Sequence, residues 1–260
     1  MALQPRRAFL FSLLAISGTT LFACRAPDAR IRAPGEARLE NTAPADPRTP
    51  YVLAFLVSGS ASAELDPGER RSIQEAHLAN IRRLGSEGKL VIAGPFGEPH
   101  LDPDLRGIFV FDTPDLATAR TWTNTDPAVQ AGVLGMELVL FRSPSPLRLA
   151  LELDRAEEAE LAKSGRVPEL GERVRGYAML LGRDARATER ALAGLREEAR
   201  VVFEGEFVGS PRGAYLAVLD AADPAEAADM LAPADAELGA HDLTSWWTMK
   251  SLAGLAARPR

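Results

Sequence analysis

The 260-residue chain reads as an α+β protein made of two ferredoxin-like βαββαβ units in tandem. Three observations predict this class. Short apolar runs bounded by Gly, Pro and Ser alternate with segments that carry helix-start signals. Between residues 51 and 141 their order is strand, helix, strand, strand, helix, strand, and a weaker version of that order returns between 176 and 252. A hydrophobic fraction of 46% with 25% charged residues is that of a folded globular chain, long enough for two small domains.

Tyr51 to Val57 (YVLAFLV) is wholly apolar and ends at Ser and Gly, which predicts a central strand. Asp66-Pro67 supplies an N-cap and a first-turn proline for a helix that runs to about Leu84, where Gly85 ends it. Along this helix Ile73, His77, Ile81 and Leu84 recur at helical spacing, so His77 turns toward the core. Lys89 to Ala93 is the second strand, closed by Gly94-Pro95-Phe96-Gly97, and Gly107 to Phe111 is the third. Thr113-Pro114 is expected to cap a helix carrying Leu116, Ala119 and Trp122. Asp126-Pro127 then makes a turn into the fourth strand, Val133 to Phe141.

One face of such a sheet carries helices, and the other needs a second layer. The chain supplies its own candidate. After a Pro- and charge-rich linker over 144–175, strands are expected at 176–181, 200–207, 213–219 and 241–252, with helices at 185–198 and 224–231. Matched positions support a degenerate copy over 176–254: Leu84 with Leu195, Val91 with Val202, Gly94 with Gly205, Phe96 with Phe207 and Arg106-Gly107 with Arg212-Gly213. Within the linker, the acidic run Asp154 to Glu160 is expected to form an exposed helix anchored by Leu149, Leu151 and Leu153.

The amino terminus carries an address. Arg6-Arg7 precedes an interrupted apolar run from Ala8 to Ala23, too short and too broken to span a bilayer, so residues 1–23 read as a signal peptide. Leu21-Phe22-Ala23-Cys24 resembles a bacterial lipobox, which makes Cys24 a lipidated residue and the mature protein a lipoprotein of the cell envelope. Arg6-Arg7-Ala8-Phe9-Leu10 resembles the core of a twin-arginine export signal. Residues 24–50 contain Pro27, Pro34, Pro44, Pro47 and Pro50 with little apolar periodicity, the pattern of a tether.

The first unit resembles the YciI-like (YCII-related) proteins of the dimeric α+β barrel superfamily. The carrying residues are His77-Leu78, Leu84, Gly88, Val91 and Gly94-Pro95, then Arg106-Gly107-Ile108-Phe109-Val110-Phe111, then Asp126-Pro127-Ala128-Val129 with Ala131-Gly132-Val133. The resemblance implies an intramolecular pseudo-dimeric barrel over 51–143 and 176–254, and a cleft where a His and an Asp face each other. It makes His77 and Asp126 the candidate catalytic pair, with Gly94, Pro95 and Arg106 as candidate substrate-binding residues. One family relative is similar to an enzyme that removes HCl from a chlorinated hydroxyhydroquinone. The chemistry fits the pair: an imidazole gives or takes a proton near neutral pH, and a carboxylate beside it orients the ring. Arg106 opens a strand from which a cation can meet an anionic substrate. The second unit departs from the pattern. His77 lies 17 residues before Gly94, and the residue 17 before Gly205 is Thr188, so no imidazole occupies that position. His241 is expected to be structural. Trp246 and Trp247 must face opposite ways in a strand.

Other chemistries are disfavoured. A net charge of -6 without clustered Lys and Arg argues against a nucleic-acid partner. A single Cys excludes disulfides within the chain and multi-thiolate metal sites, and three His leave little for a His-rich metal centre, so no cofactor is expected. Two function classes remain: a cofactor-independent lyase or isomerase acting on a small molecule through His77 and Asp126, or a non-catalytic binding or interaction module displayed on the membrane.

Overall fold

The computed structural model describes residues 48–62, 65–98, 102–163, 165 and 170–258. The expected signal peptide, Cys24 and most of the expected tether lie outside the described residues, as does His100. Among the described residues no helix is long and apolar enough to cross a membrane.

The first half contains β1 (Thr49–Ser58), α1 (Pro67–Ser86), β2 (Leu90–Pro95), β3 (Leu105–Phe111), α2 (Leu116–Thr123), α3 (Pro127–Gln130) and β4 (Leu134–Ser143). A connecting helix α4 (Leu149–Ala162) and a short α5 (Leu170–Arg173) lead to the second half. That half contains β5 (Val174–Gly182), α6 (Ala185–Ala191), α7 (Ala193–Glu197), β6 (Val201–Val208), β7 (Tyr215–Leu219), α8 (Pro224–Leu231), α9 (Asp235–Leu238) and β8 (His241–Met249). All eight strands join one antiparallel sheet in the order β2-β3-β1-β4-β6-β7-β5-β8. Within each half the second strand is outermost, followed by the third, the first and the fourth. The two ends of the order meet where Phe96 bridges Trp246, so the sheet is a nearly closed barrel.

Local chemistry explains these elements. Asp66 accepts from the Gly68 and Glu69 amides at the start of α1, as its sequence predicts. The cap of α2 is Asp115, which accepts from Ala117 and Thr118, and the Thr113 hydroxyl accepts from the Asp115 amide instead of capping the helix itself. The single helix expected over 185–198 is broken at Leu192, whose φ of -83° and ψ of -2° interrupt regular α geometry. The turn after α1 needs a left-handed residue, supplied by Gly88 at φ 71°. After α7 the same turn holds Ala199 at φ 54°. In both, the amide three residues after the helix reaches back across the turn: Lys89 N–H donates to Leu84 O, and Arg200 N–H to Leu195 O.

Both faces of β1, β3 and β7 are buried over most of their length, which is why these strands read as continuous apolar runs rather than alternating ones. The barrel interior is filled by Tyr51, Phe55, Ile108, Phe141, Tyr177, Phe203 and Trp246 among others, as expected when eight strands leave room only for side chains. Outside, α1 and α2 cover one apolar cluster with Leu84, Phe109 and Phe111, and α6 to α9 cover another with Leu192, Leu195 and Leu231. The region expected as a linker is largely structured. Leu147 and Ala150 are buried in the interior cluster, and Leu149, Leu151 and Leu153 of α4 pack against it beside Leu252 and Leu255 of a 3-10 segment that follows β8. Trp246 is fully buried, while Trp247 is 45% exposed.

Candidate functional site

His77 comes from the buried stripe of α1, with Asn80 and Leu84. Asp126 is the N-cap of α3, and its Oδ1 accepts from the Ala128 amide at 2.9 Å, which fixes the carboxylate before any other partner is considered. The fold brings the two together across 49 residues: His77 Nδ1 lies 2.8 Å from Asp126 Oδ2 and 3.0 Å from Oδ1. The imidazole stacks on Phe109 of β3, with ring centroids 5.9 Å apart and planes 13° from parallel. The side chains of His77 and Asp126 are 8% and 1% exposed. With Nδ1 committed to the carboxylate, Nε2 is the remaining proton-transfer atom of the ring.

A polar network beside the pair ties α1 to the segment preceding Asp126. Arg83 Nη2 donates to Asn80 Oδ1 at 2.7 Å and to Thr125 Oγ1 at 2.8 Å, and the Thr125 hydroxyl donates to Trp122 O at 2.7 Å. Asn80 Nδ2 is buried with no hydrogen-bond partner. Sequence reasoning passed over Asn80 and Thr125. The available signal was an amide three residues after His77, on the same helix face, where an apolar residue would be expected.

The other predicted binding residues are placed elsewhere. Gly94 lies at the barrel seam: a Cβ there would come within 2.2 Å of Trp247 O and 2.9 Å of the Trp246 ring. The Trp246 indole N–H also donates to Gly94 O at 2.9 Å. The glycine is required by a strand crossing, and Trp246 and Trp247 close it off. Pro95, opposite Gly107, is the exposed end of β2. Arg106 is exposed and belongs to the face of β3 that carries Ile108 and Val110 into the barrel, whereas Phe109, under His77, is on the other face. Arg106 and His77 are therefore not brought together.

In the second half, Thr188 is fully buried and donates to Asp184 O at 2.7 Å. It stands against Gly182, where a Cβ would meet its Oγ1 at 2.0 Å. His241 contacts Gly239 O through Nδ1 at 2.8 Å. The half also contains a charged cluster that sequence reasoning missed. Glu204 of β6, 1% exposed in its side chain, accepts from Arg196 Nε at 2.6 Å, from Arg196 Nη2 at 2.8 Å and from Tyr215 Oη at 3.0 Å. Burial, and then the Glu204 charge, push the Tyr215 phenol far above its usual range.

Among the described residues no group of three or more His, Cys, Asp and Glu is placed to hold a metal ion. The YCII-related domain model matches residues 53–141, which span β1 to β4 and include both His77 and Asp126. Protein YciI of Escherichia coli O6:H1 is 36% identical over 70 residues, 25% of this chain and 71% of that protein. The chain belongs to the YCII-related family. Protein YciI of Shigella flexneri matches with the same identity and coverage. The family match is confined to the first half; the second half extends the same sheet beyond it. A chlorite dismutase variant from Candidatus Nitrospira defluvii has a similar overall chain path, with a TM-score of 0.47 at 12% identity, covering 80% of this chain and 93% of that one. At that level of similarity the likeness carries no functional argument.

Proposed function

We propose that this YCII-related protein is a cofactor-independent lyase or isomerase that uses His77 and Asp126 as an acid-base pair on a small molecule. The observation that carries the reading is the 2.8 Å contact between His77 Nδ1 and an Asp126 carboxylate already held by its own helix cap. With Nδ1–H donated to Asp126, the Nε2 lone pair is the base. It accepts a substrate proton, Asp126 stabilises the imidazolium, and the same Nε2–H returns the proton to the product or leaving group. His77→Ala and Asp126→Asn are each expected to cut turnover about a hundredfold or more. Thr188→Ala and His241→Ala should change it little. Steady-state rates on a substrate found by screening small cyclic and enol-containing compounds check this, and equal losses at Thr188 or His241 would overturn it.

A second reading, a non-catalytic binding or interaction module, is favoured by the burial of the pair and by the stacking of His77 on Phe109. It holds if ligands bind but no variant of His77 or Asp126 changes any turnover.

The proposal extends to the architecture and its location. The recurring strand order and the matched Leu84 and Leu195 turns support two ferredoxin-like copies paired within one chain, only the first keeping the imidazole. Lipidation at Cys24 would place the protein on the cell envelope. Cys24→Ser is expected to accumulate precursor or to release the chain into the soluble fraction. An unchanged membrane fraction would remove the lipoprotein reading.

A further inference from the structure

The two seams of the barrel differ. Between β4 and β6 three consecutive residue pairs close the gap, Leu140 to Arg142 opposite Val208 to Glu206. Between β2 and β8 there is one bridge, Phe96 with Trp246, backed by Gly97 N–H donating to Ser245 O at 2.8 Å and the Thr248 hydroxyl donating to Ala93 O at 2.7 Å. Where β2 runs from Leu90 to Ala93 beside Thr248 and Met249, a solvent-open cavity of about 470 Å³ lies against this second seam, walled by α1 on one side and α4 on the other. Its size falls within the range of small-molecule sites.

The second half explains why this space exists. Gly85 and Ala93 line the cavity. By strand register and by the matching turns after Leu84 and Leu195, their counterparts are Arg196 and Glu204, which form the buried ion pair. Where one half fills the gap between helix and outermost strand with two long charged side chains, the other has a hydrogen and a methyl group.

The lining is amphipathic. Ile81, Leu90, Ile92, Leu151 and Met249 supply apolar surface, and the charged residues are three arginines against two carboxylates, in a chain whose net charge is -6. Arg173 is engaged by Glu158 at 2.9 Å and Asp154 at 3.5 Å. Arg82 and Arg155 have no ion-pair partner among the described residues. Burial pushes the Asp154 carboxyl up in spite of Arg173 beside it.

We propose that the cavity binds a small amphipathic carboxylate, its apolar body against Ile81, Leu90, Ile92, Leu151 and Met249 and its carboxylate at the Arg82 and Arg155 guanidiniums. Guanidinium suits this task because its planar fork matches a carboxylate and it stays charged at all relevant pH. His77 and Asp126 are not part of this lining, so the inference does not rest on the acid-base reading.

Calorimetric titration of the full chain with decanoate, and with decanol as an uncharged molecule of equal chain length, tests the site. Decanoate is expected to bind one per chain and at least tenfold more tightly than decanol. The double variant Arg82→Ala/Arg155→Ala changes only exposed side chains and should bring decanoate down to the affinity of decanol. Ala93→Leu, which narrows the cavity, should weaken both at least tenfold, and His77→Ala should leave both unchanged. No decanoate binding, equal binding of the two probes to the unmodified chain, or full binding by the double arginine variant would each overturn the proposal. Loss of binding in His77→Ala alone would also overturn it, by moving the ligand to the acid-base pair.

Discussion

Replacing Arg196 by leucine is expected to destabilise the protein by about 3 to 5 kcal/mol, the usual cost of leaving a buried charge without its partner. Glu204 has 1% of its side chain exposed and receives two charge-assisted hydrogen bonds from the one guanidinium. Without Arg196 the Tyr215 hydroxyl still donates to Glu204, but a neutral donor cannot replace a guanidinium in making up for the hydration lost by a carboxylate. The double variant Arg196→Leu/Glu204→Leu should regain most of the loss, because two apolar side chains can fill the same space without a charge to desolvate. Denaturant midpoints of the two variants separate these outcomes. A loss below about 1 kcal/mol in Arg196→Leu would show that Glu204 is satisfied without it.

The same cluster predicts a pH dependence. Tyr215 has its folded-state pKa raised from 10.0 by burial and by Glu204, so above pH 10 the folded state holds a proton that the unfolded chain releases. Stability from this group is complete below pH 10 and declines as pH rises beyond it. Tyr215→Phe should lower stability at neutral pH, through the lost hydrogen bond to Glu204, and flatten the decline on the alkaline side. Chemical denaturation at pH 8 and pH 11 checks the sign. An equally steep alkaline loss in the variant would assign that slope to other groups.

What could be read from the sequence was what depends on near neighbours. The Asp66 cap of α1, the apolar run Tyr51 to Val57 of β1 and the Pro224 start of α8 rest on contacts within a few residues, and they form the expected elements. Asp126 was visible for the same reason: an Asp-Pro step is a capping signal, and the carboxylate that caps α3 also meets His77. Less legible were the surroundings of residues whose partners are remote. Gly94 looks like a ligand-lining glycine until Trp246, 152 residues later, donates to its carbonyl. The face of Arg106 was hidden because β3 is apolar on both sides, which removes the alternation that would have separated Arg106 from Phe109. The Arg196 and Glu204 pair is eight residues apart but on different elements, and nothing in that spacing announces a buried contact. The cavity beside α4 needed five separate segments to be assembled before it could be seen at all.

The seam glycines give a prediction of comparable size and test the pairing of the halves most directly. A Cβ at Gly205 would lie 2.5 Å from Arg142 O and 2.6 Å from the Phe141 ring, and one at Gly94 would lie 2.2 Å from Trp247 O and 2.9 Å from the Trp246 ring. Each contact is between the outermost strand of one half and the last strand of the other, and in each a backbone carbonyl blocks relaxation because it belongs to the opposing strand. Gly94→Val and Gly205→Val are therefore expected to destabilise by about 3 kcal/mol or more each, at the upper end of overpacking, since backbone rather than a side-chain tip must yield. Gly205→Val should be the worse of the two: three consecutive residue pairs hold β4 to β6, whereas between β2 and β8 there is one backbone bridge, supported mainly by side-chain hydrogen bonds that can yield. Gly194→Ala in α7 provides the contrast, because nothing lies within 4 Å of its added Cβ and alanine favours helix by up to about 1 kcal/mol. Thermal or denaturant unfolding of the three variants checks the ranking. Valine tolerated at Gly205 without loss would mean that the two halves do not depend on this seam to hold the barrel together.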